Sequence, residues 1–297
     1  MVPRWSAGAS SIALGVGIAA SAVLGPLGLE AIKFRLSDHL INQFIGGEVV
    51  SLAILAPAAI AAGVLWLRDH RLAPALALGP AMYAVYTYTT VIVGQEYGRY
   101  AGNVERFFPL YAALVAGGVA IATRAWSQLA ASDVPMPSDR LRKALAGIFL
   151  AIGGLVGLAW AQQIRLVMTG DPSADYREGP TLFWVIKLLD VGFVIPLLLA
   201  TGVGLLRKRP VAVRVAYGLA PFVTCLAASI AGMAIAMEAT GDPSSQPAMI
   251  AVLLPAVASL ALATVRLLRT GSTPVEPAGA SRRRDAAYYA GRWGSHA

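Results

Sequence analysis

Apolar segments long enough to cross a bilayer recur eight times in this chain, and they constrain its fold more than any other feature. A membrane-spanning helix needs about 20 mostly apolar residues, because each residue rises about 1.5 Å through a hydrocarbon core about 30 Å thick. The segments cover residues 10–31, 40–67, 72–93, 107–125, 145–168, 181–206, 211–237 and 247–268. We therefore expect an all-α membrane protein with eight transmembrane helices.

Composition and charge agree with this interpretation. Only 13% of the residues are charged, against roughly 25% in soluble domains. The net charge of +8 does not indicate nucleic acid, because the Lys and Arg residues fall between the apolar segments and form no basic stripe with interleaved aromatics. Of the 24 Lys and Arg residues, 17 lie at the two termini and after the second, fourth and sixth segments. The positive-inside rule then predicts a multi-pass protein of the cell membrane with both termini cytoplasmic.

The sequence also predicts an internal repeat. When Pro57 is aligned with Pro196 and the alignment continues without a gap, ten identities fall between positions 57 and 81, including Gly63 with Gly202 and Gly79 with Gly218. A slightly smaller shift gives weaker matches near the first segment, such as Gly15 with Gly147. Because each unit holds four segments, both units insert in the same orientation, as parallel repeats related by an axis along the membrane normal.

This repeat divides the chain into four parts. We expect a first four-helix repeat at 1–126, a cytoplasmic linker at 127–142, a second repeat at 143–269 and a disordered basic cytoplasmic tail at 270–297. The tail is rich in Gly, Ser, Pro and Arg, a composition that cannot bury a core. Anionic lipid headgroups are one candidate contact for its arginines, and a solvated tail is the other interpretation.

Two charged residues stand inside the sixth apolar segment. Lys187 and Asp190 are three residues apart, so their side chains share a helix face and could form a local ion pair. An ionised carboxylate inside a membrane costs about 2.5 to 3.5 kcal/mol unless it is paired, protonated or hydrated. One interpretation is a proton or cation relay, or an anchor for a polar ligand. The other is a satisfied pair that closes the helix bundle.

Glu48 occupies the corresponding region of the second segment. It lies nine residues before Pro57, whereas Asp190 lies six residues before Pro196, so the two acids differ by nearly one helical turn. If both face the repeat axis, they form a paired-carboxylate site. If they do not, Glu48 belongs to the outer interface beside Asn42.

A third polar cluster joins the third and fourth segments. Glu96, Arg99 and Arg106 lie in the connection, and Tyr86 belongs to an aromatic stripe on the third segment. The two arginines could neutralise the buried acids or bind an anionic group. The tyrosine stripe is equally typical of packing between helices. The candidate ligand-binding residues are Glu48, Tyr86, Glu96, Arg99, Arg106, Lys187 and Asp190.

Catalytic and metal-binding motifs are absent from the sequence. It has no GxSxG, HExxH, Walker lysine or CxxC pattern. The single cysteine, Cys225, excludes a cysteine metal cage, and none of the three histidines stands within a predicted segment. We therefore expect no catalytic residues, no metal and no cofactor, and an enzyme is the third choice.

Two stretches resemble known sequences. KLLDVGFVIPLLLATGVGLLRKRP and GNVERFFPLYAAL are similar to segments of uncharacterised multi-span membrane proteins of high-GC bacteria. The resemblance covers the second to seventh segments, and the Ala, Gly and Arg usage fits such an origin. It implies a multi-span fold and no activity.

The sequence leaves two functional hypotheses. The first is transport or binding of a small polar or amphipathic ligand in a cavity between the repeats, open to the extracytoplasmic side. The alternative is a non-transporting scaffold or accessory subunit. Membrane lipid is the expected partner in both. A cavity that reaches Asp190 favours the first, and a packed seam with paired charges favours the second.

Overall fold

The computed structural model describes residues 4–131, 134–242, 245 and 247–272, and it is helical without a strand in these ranges. Eight of its helices are long and apolar enough to span a membrane, which confirms the prediction of a multi-pass, all-α chain. They are α1 (Arg4–Leu24), α2 (Asp38–Leu67), α3 (Ala73–Val93), α4 (Phe108–Ala131), α5 (Asp139–Met168), α6 (Pro180–Leu206), α7 (Pro210–Ala239) and α8 (Pro247–Ser272).

The first helix lies closer to the N-terminus than the sequence predicts. It covers Arg4–Leu24, whereas hydropathy placed it at 10–31. It ends before the sequence Gly25-Pro26, because proline disfavours the helical conformation in the residue before it and has no N–H to donate. The apolar residues that follow are not helical. They include Ile32, Phe34 and Leu36, which are buried in the connection to α2.

The predicted linker and tail are only partly covered by the structure. α4 continues to Ala131 and α5 begins at Asp139, so both helices extend into the predicted linker at 127–142. α8 likewise extends to Ser272, into the predicted tail at 270–297. Residues 132–133 and 273–297 lie outside the described residues, and the disorder of the tail stays a prediction.

The outward surface of the helices is apolar. Large aliphatic and aromatic side chains are more than half exposed along several helices, including Leu155, Leu158, Phe193 and Val252. A water-soluble protein rarely exposes large contiguous apolar patches, whereas a helix that faces lipid does so throughout. The exposed apolar surface therefore agrees with a membrane environment.

Helix packing follows the same order in both halves of the chain. In the first half α1 packs on α2 and α3 packs on α4; in the second half α5 packs on α6 and α7 packs on α8. The two halves meet where α7 packs against α2 and α3, and where α3 approaches α6. We call the contact surface between α2 and α3 on one side and α6 and α7 on the other the seam.

Small residues bring the backbones together at the seam. A Cβ added to Gly79 of α3 would lie 2.9 Å from the Cβ of Pro221, and one added to Gly218 of α7 would lie 2.6 Å from Leu78. A Cβ on Gly46 of α2 would overlap the carbonyl of Gly232. Such small residues allow close packing of membrane helices, where dispersion replaces the hydrophobic effect as the driving force.

A wider, π-helical turn interrupts both α2 and α6. The turns are Ser51–Leu55 and Asp190–Val194, and in each the residue that follows donates its N–H to the carbonyl five residues earlier. Pro57 and Pro196 follow one residue later. A proline ring clashes with the carbonyl four residues before it and removes one hydrogen bond, so each proline favours a widened turn in front of it. Such turns are frequent at functional sites.

Candidate functional site

Asp190 lies at the start of the π-helical turn of α6 and is held by two neutral donors. Its side chain is 8% exposed. The hydroxyl of Tyr86 donates to one carboxylate oxygen at 2.9 Å, and the indole N–H of Trp160 donates to the other at 2.7 Å. Because Tyr86 belongs to α3 and Trp160 to α5, the carboxylate joins three helices and crosses the seam.

Lys187 is one turn away and 6% exposed. Its ammonium nitrogen lies 3.6 Å from the ring centre of Trp160 and 4.0 Å from that of Phe183. No carboxylate of the described residues lies within 4.0 Å of it, so the predicted ion pair with Asp190 is not formed. Instead the ammonium lies on the aromatic faces, while the carboxylate turns to the indole N–H. Trp160 therefore contacts both charged groups.

Glu48 has a separate environment in the first half of the chain. It is 9% exposed, and one carboxylate oxygen accepts the backbone N–H of Leu27 at 2.9 Å. A Cβ added to Gly25 would overlap the carboxylate, so the bare glycine backbone makes room for it. No described hydrogen bond or shared partner joins Glu48 to Asp190. Each acid therefore has its own hydrogen-bond partners, and the paired-carboxylate site stays a prediction.

Glu96 and Arg99 bind the two halves together at the end of the seam. The Glu96 carboxylate accepts the backbone N–H of Thr181 at 2.6 Å and its hydroxyl at 3.1 Å. The Arg99 guanidinium donates to the carbonyl of Arg177 at 2.6 Å. Arg106 is exposed on the short 3-10 helix that precedes α4. None of the three hydrogen-bonds to Asp190 or Glu48.

An additional ion pair orders the same end of the molecule. Arg35 forms two parallel hydrogen bonds with the carboxylate of Glu105, at 2.6 and 3.0 Å. This pairing raises the pKa of the Arg35 guanidinium above its ordinary value. Arg35 also donates to the carbonyl of Tyr100 at 3.0 Å, which fastens the connection between α1 and α2 to the one between α3 and α4.

A chain of hydroxyl groups crosses the seam at Tyr83. The Tyr83 hydroxyl lies 3.2 Å from that of Ser51 on α2 and 3.0 Å from that of Ser229 on α7. Tyr83 and Tyr86 are one turn apart on α3, so the aromatic stripe predicted from sequence does contact polar groups of both halves. Of the seven candidate residues, the structure brings together Tyr86, Lys187 and Asp190.

A histidine between two acids also joins the halves. The two ring nitrogens of His39 lie 2.9 Å from carboxylate oxygens of Asp175 and Asp242, and Gln43 donates to Asp175 at 3.2 Å. His39 and Asp242 also line a groove of about 470 Å³. Among the described residues no group of three or more His, Cys, Asp and Glu side chains is suited to hold a metal ion. The arrangement is therefore a polar clasp between the halves.

Sequence reasoning missed Trp160 and the His39 clasp. A lone tryptophan among the Gly, Ala and Leu residues of α5 could have drawn attention, because a buried indole N–H needs an acceptor. The clasp gives no such signal, since its two acids are far from the histidine in sequence.

The comparisons with known proteins identify no relative. No protein-family model, curated protein or solved structure matches the chain. Functional inference therefore depends on its own buried polar residues.

Proposed function

We propose that this protein binds or transports a small amphipathic molecule at the seam, with its site centred on Asp190. The observation that supports this most directly is the burial of Glu48, Lys187 and Asp190 in membrane-length helices, with no ion-pair partner among the described residues. Charged residues inside membrane segments are costly and most often mark substrate or ion pathways. In a bundle with only a structural role, three such buried charged residues would lower stability without a compensating function.

We also propose that the chain consists of two parallel four-helix repeats. The two π-helical turns begin at Ser51 and Asp190, which are equivalent under the same shift that aligns Pro57 with Pro196. Gly79 and Gly218, also related by that shift, each contact the other's helix. Reciprocal contacts of this kind are expected around a two-fold axis.

The contacts favour a different alignment of the first helices. Gly15 of α1 lies against Ile60 of α2, and Gly153 of α5 lies against Leu199 of α6. The two contacts are equivalent in the two halves. Ile60 and Leu199 are equivalent under the shift that aligns the two prolines. The contacts therefore pair Gly15 with Gly153, whereas sequence identity paired it with Gly147.

The alignment of the two prolines also gives a second comparison of the buried charges. Under the shift that aligns the two π-helical turns, the equivalent of Glu48 is Lys187. The charged residues of the two halves thus have opposite sign at equivalent positions, and the second half adds Asp190.

The site chemistry favours a ligand with a positively charged end. The Asp190 carboxylate has two hydrogen-bond donors but no cation within 4.0 Å among the described residues. The faces of Trp160 and Phe183 already hold one ammonium group, that of Lys187. Aromatic faces beside a carboxylate are suited to an amine or quaternary ammonium. In this proposal the ligand cation replaces the Lys187 ammonium on the rings and Asp190 neutralises it.

A binding assay tests this with three probes of similar shape. Benzyltrimethylammonium is the cation, neopentylbenzene its neutral isostere and benzylsulfonate the anion. We expect only the cation to raise the melting temperature of the purified protein, since a ligand at 100 times its Kd stabilises a protein by about 2.7 kcal/mol. Uptake of the cation into proteoliposomes then separates transport from binding.

Two variants distinguish the site from general charge effects. Asp190→Asn should abolish the response to the cation. Asp171→Asn, which removes an exposed acid between α5 and α6, should retain it. If Asp190→Asn responds to every probe as the wild type does, or if the wild type responds to none, the proposed site is wrong.

The scaffold function remains the second candidate, and one observation favours it. The two prominent grooves of the described residues are lined by neither Glu48, Lys187 nor Asp190. The end of the seam near Glu96 and His39 is closed by hydrogen bonds between the halves. A subunit that only assembles with a partner needs no opening there, and it would respond to none of the three probes.

A cytoplasmic position of both termini is part of the proposal. It is supported by the eight membrane-length helices and by the concentration of Lys and Arg at one end of them. Labelling of single cysteines introduced into a Cys225→Ser background tests it. Cysteines at the turn between α6 and α7 should react only after the membrane is opened, and cysteines at Asp171 should react in intact cells.

A further inference from the structure

A groove lies between α5 and α8 at the end of the molecule that carries most of the Lys and Arg residues. Its volume is about 740 Å³. Three arginines line its mouth: Arg140 in the first turn of α5, and Arg266 and Arg269 near the end of α8. No Asp or Glu is among the lining residues. The mouth of the groove is therefore strongly positive.

The acid nearest in sequence to Arg140 is engaged elsewhere. Asp139 accepts a hydrogen bond from Arg142 at 3.0 Å and lies 3.9 Å from the ammonium of Lys208. Neither partner lines the groove. Arg140 and Arg266 form no ion pair within the described part of the chain, so their charge suits an anion supplied by another molecule.

Apart from Ser259, the inner part of the groove is apolar. Its wall includes Ala144, Ile148 and Leu262, of which Leu262 is exposed on the outward surface of α8. Ile148 follows Arg140 by eight residues, so at about 1.5 Å per residue the wall extends about 12 Å inward from the positive mouth. The groove is therefore amphipathic along the membrane normal, with its charged end at the level of the headgroups.

In the first half of the chain, the packing of α1 on α4 is close at a point farther from the N-terminus of α1. α1 packs on α4 with Gly17 against Leu114, where an added Cβ would lie 2.7 Å from the leucine side chain.

We propose that this groove binds an anionic phospholipid, with the phosphate group between the arginines and an acyl chain along the apolar wall. The charge of the mouth selects the anionic headgroup, because guanidinium groups bind phosphate through paired N–H donors. The apolar wall selects a lipid over a free phosphate ion. In basic pockets between membrane helices, the attraction of the cations for the headgroup and the apolar contact with the acyl chain act together.

Native mass spectrometry of the full chain tests the proposal. The protein is titrated in detergent with phosphatidylglycerol, with phosphatidylcholine of the same acyl chains, and with glycerol 3-phosphate. Each arginine beside an anionic headgroup contributes a factor of about five in affinity. We expect the anionic lipid to bind at least about 25-fold more tightly than the zwitterionic one, as two factors of five from Arg140 and Arg266. Glycerol 3-phosphate should not compete.

Three variants separate the groove from general charge effects. Arg140→Gln/Arg266→Gln should lower the preference for the anionic lipid by about 25-fold, as two factors of five. Arg207→Gln/Arg209→Gln removes the same charge from exposed positions outside the groove and should leave the preference unchanged. Leu262→Trp fills the apolar wall without changing charge and should also weaken binding.

Four results would overturn the proposal. They are equal binding of the two lipids, an equal loss in the Arg207/Arg209 control, displacement of the lipid by glycerol 3-phosphate, and a lipid-free dimer that Arg140→Gln/Arg266→Gln dissociates. The last result would assign the groove to a second copy of the chain. Circular dichroism of each variant shows whether it is folded. If Leu262→Trp does not fold, Arg140→Gln/Arg266→Gln still tests the proposal.

Discussion

The hydrogen bond between Trp160 and Asp190 is the contact on which the proposed site depends, and a double-mutant cycle measures it. Trp160→Phe keeps an aromatic ring below the Lys187 ammonium but removes the N–H that donates to the carboxylate at 2.7 Å. Asp190→Leu removes the acceptor. Trp160→Phe lowers the free energy of unfolding by one amount in the wild type and by another in the Asp190→Leu background. The difference between these two amounts is the coupling energy of this contact.

The expected magnitude depends on whether the acceptor is charged. Hydrogen bonds to ionised groups contribute about 1.5 to 3 kcal/mol, whereas those between neutral groups of membrane helices contribute on average about 0.6 kcal/mol. With an ionised Asp190 as acceptor, we expect a coupling energy of about 2 kcal/mol. Unfolding with sodium dodecyl sulfate, followed by circular dichroism, measures the four free energies.

A second cycle in the same protein supplies the matched control. The indole N–H of Trp66 donates to the neutral side-chain amide of Gln128 at 2.9 Å. The cycle of Trp66→Phe with Gln128→Leu should therefore give a coupling of about 0.6 kcal/mol. If the two cycles agree, Asp190 does not act as a charged acceptor. The absence of any measurable coupling at Asp190 would mean that the hydrogen bond is not made in the folded protein, and would refute the reasoning.

Other variants test the packing of the seam and its clasp. Gly79→Ala places a Cβ 2.9 Å from the rigid ring of Pro221, so we expect it to destabilise the protein by about 1 to 3 kcal/mol in the same unfolding assay. Gly147→Ala, which meets nothing within 4 Å, serves as its control and should be neutral or stabilising. Gly25→Ala should displace the buried glutamate of α2 and lower the melting temperature, and an unchanged value would mean that this carboxylate has room to move. His39→Ala leaves two acids facing each other and should speed amide hydrogen exchange at residues 174–178, whereas unchanged exchange would show that the clasp does not join the halves.

Hydropathy alone was sufficient to find the membrane helices, because a bilayer requires each one to be long, apolar and internally hydrogen-bonded. Seven of the eight helices overlap their predicted positions closely, and the first is displaced toward the N-terminus. That error arose because residues 25–31 extend the apolar segment without being helical. Gly25-Pro26 ends the helix, whereas hydropathy averages over this break.

The identity of the buried charged residues was also visible in the sequence, but their partners were not. The spacing of Lys187 and Asp190 permits an ion pair, and the structure gives each a partner from another part of the chain. Glu96 and Arg99 were candidates for the ligand site. In the structure Glu96 binds the start of α6, and Arg99 binds the connection before α6. Helical spacing restricts which side chains share a face, but it does not say which helix lies opposite.

The sequence by itself thus determined that the chain has eight segments able to cross a membrane, where its positive charges concentrate and which charged residues lie within those segments. These properties follow from the cost of placing each residue type in hydrocarbon, which is local to each segment. Only the tertiary structure decided that Trp160 contacts both charges of α6, that His39 joins two distant acids and that a positive groove opens between α5 and α8. These features depend on which helix faces meet, and that choice is made by small-residue contacts between segments far apart in the chain.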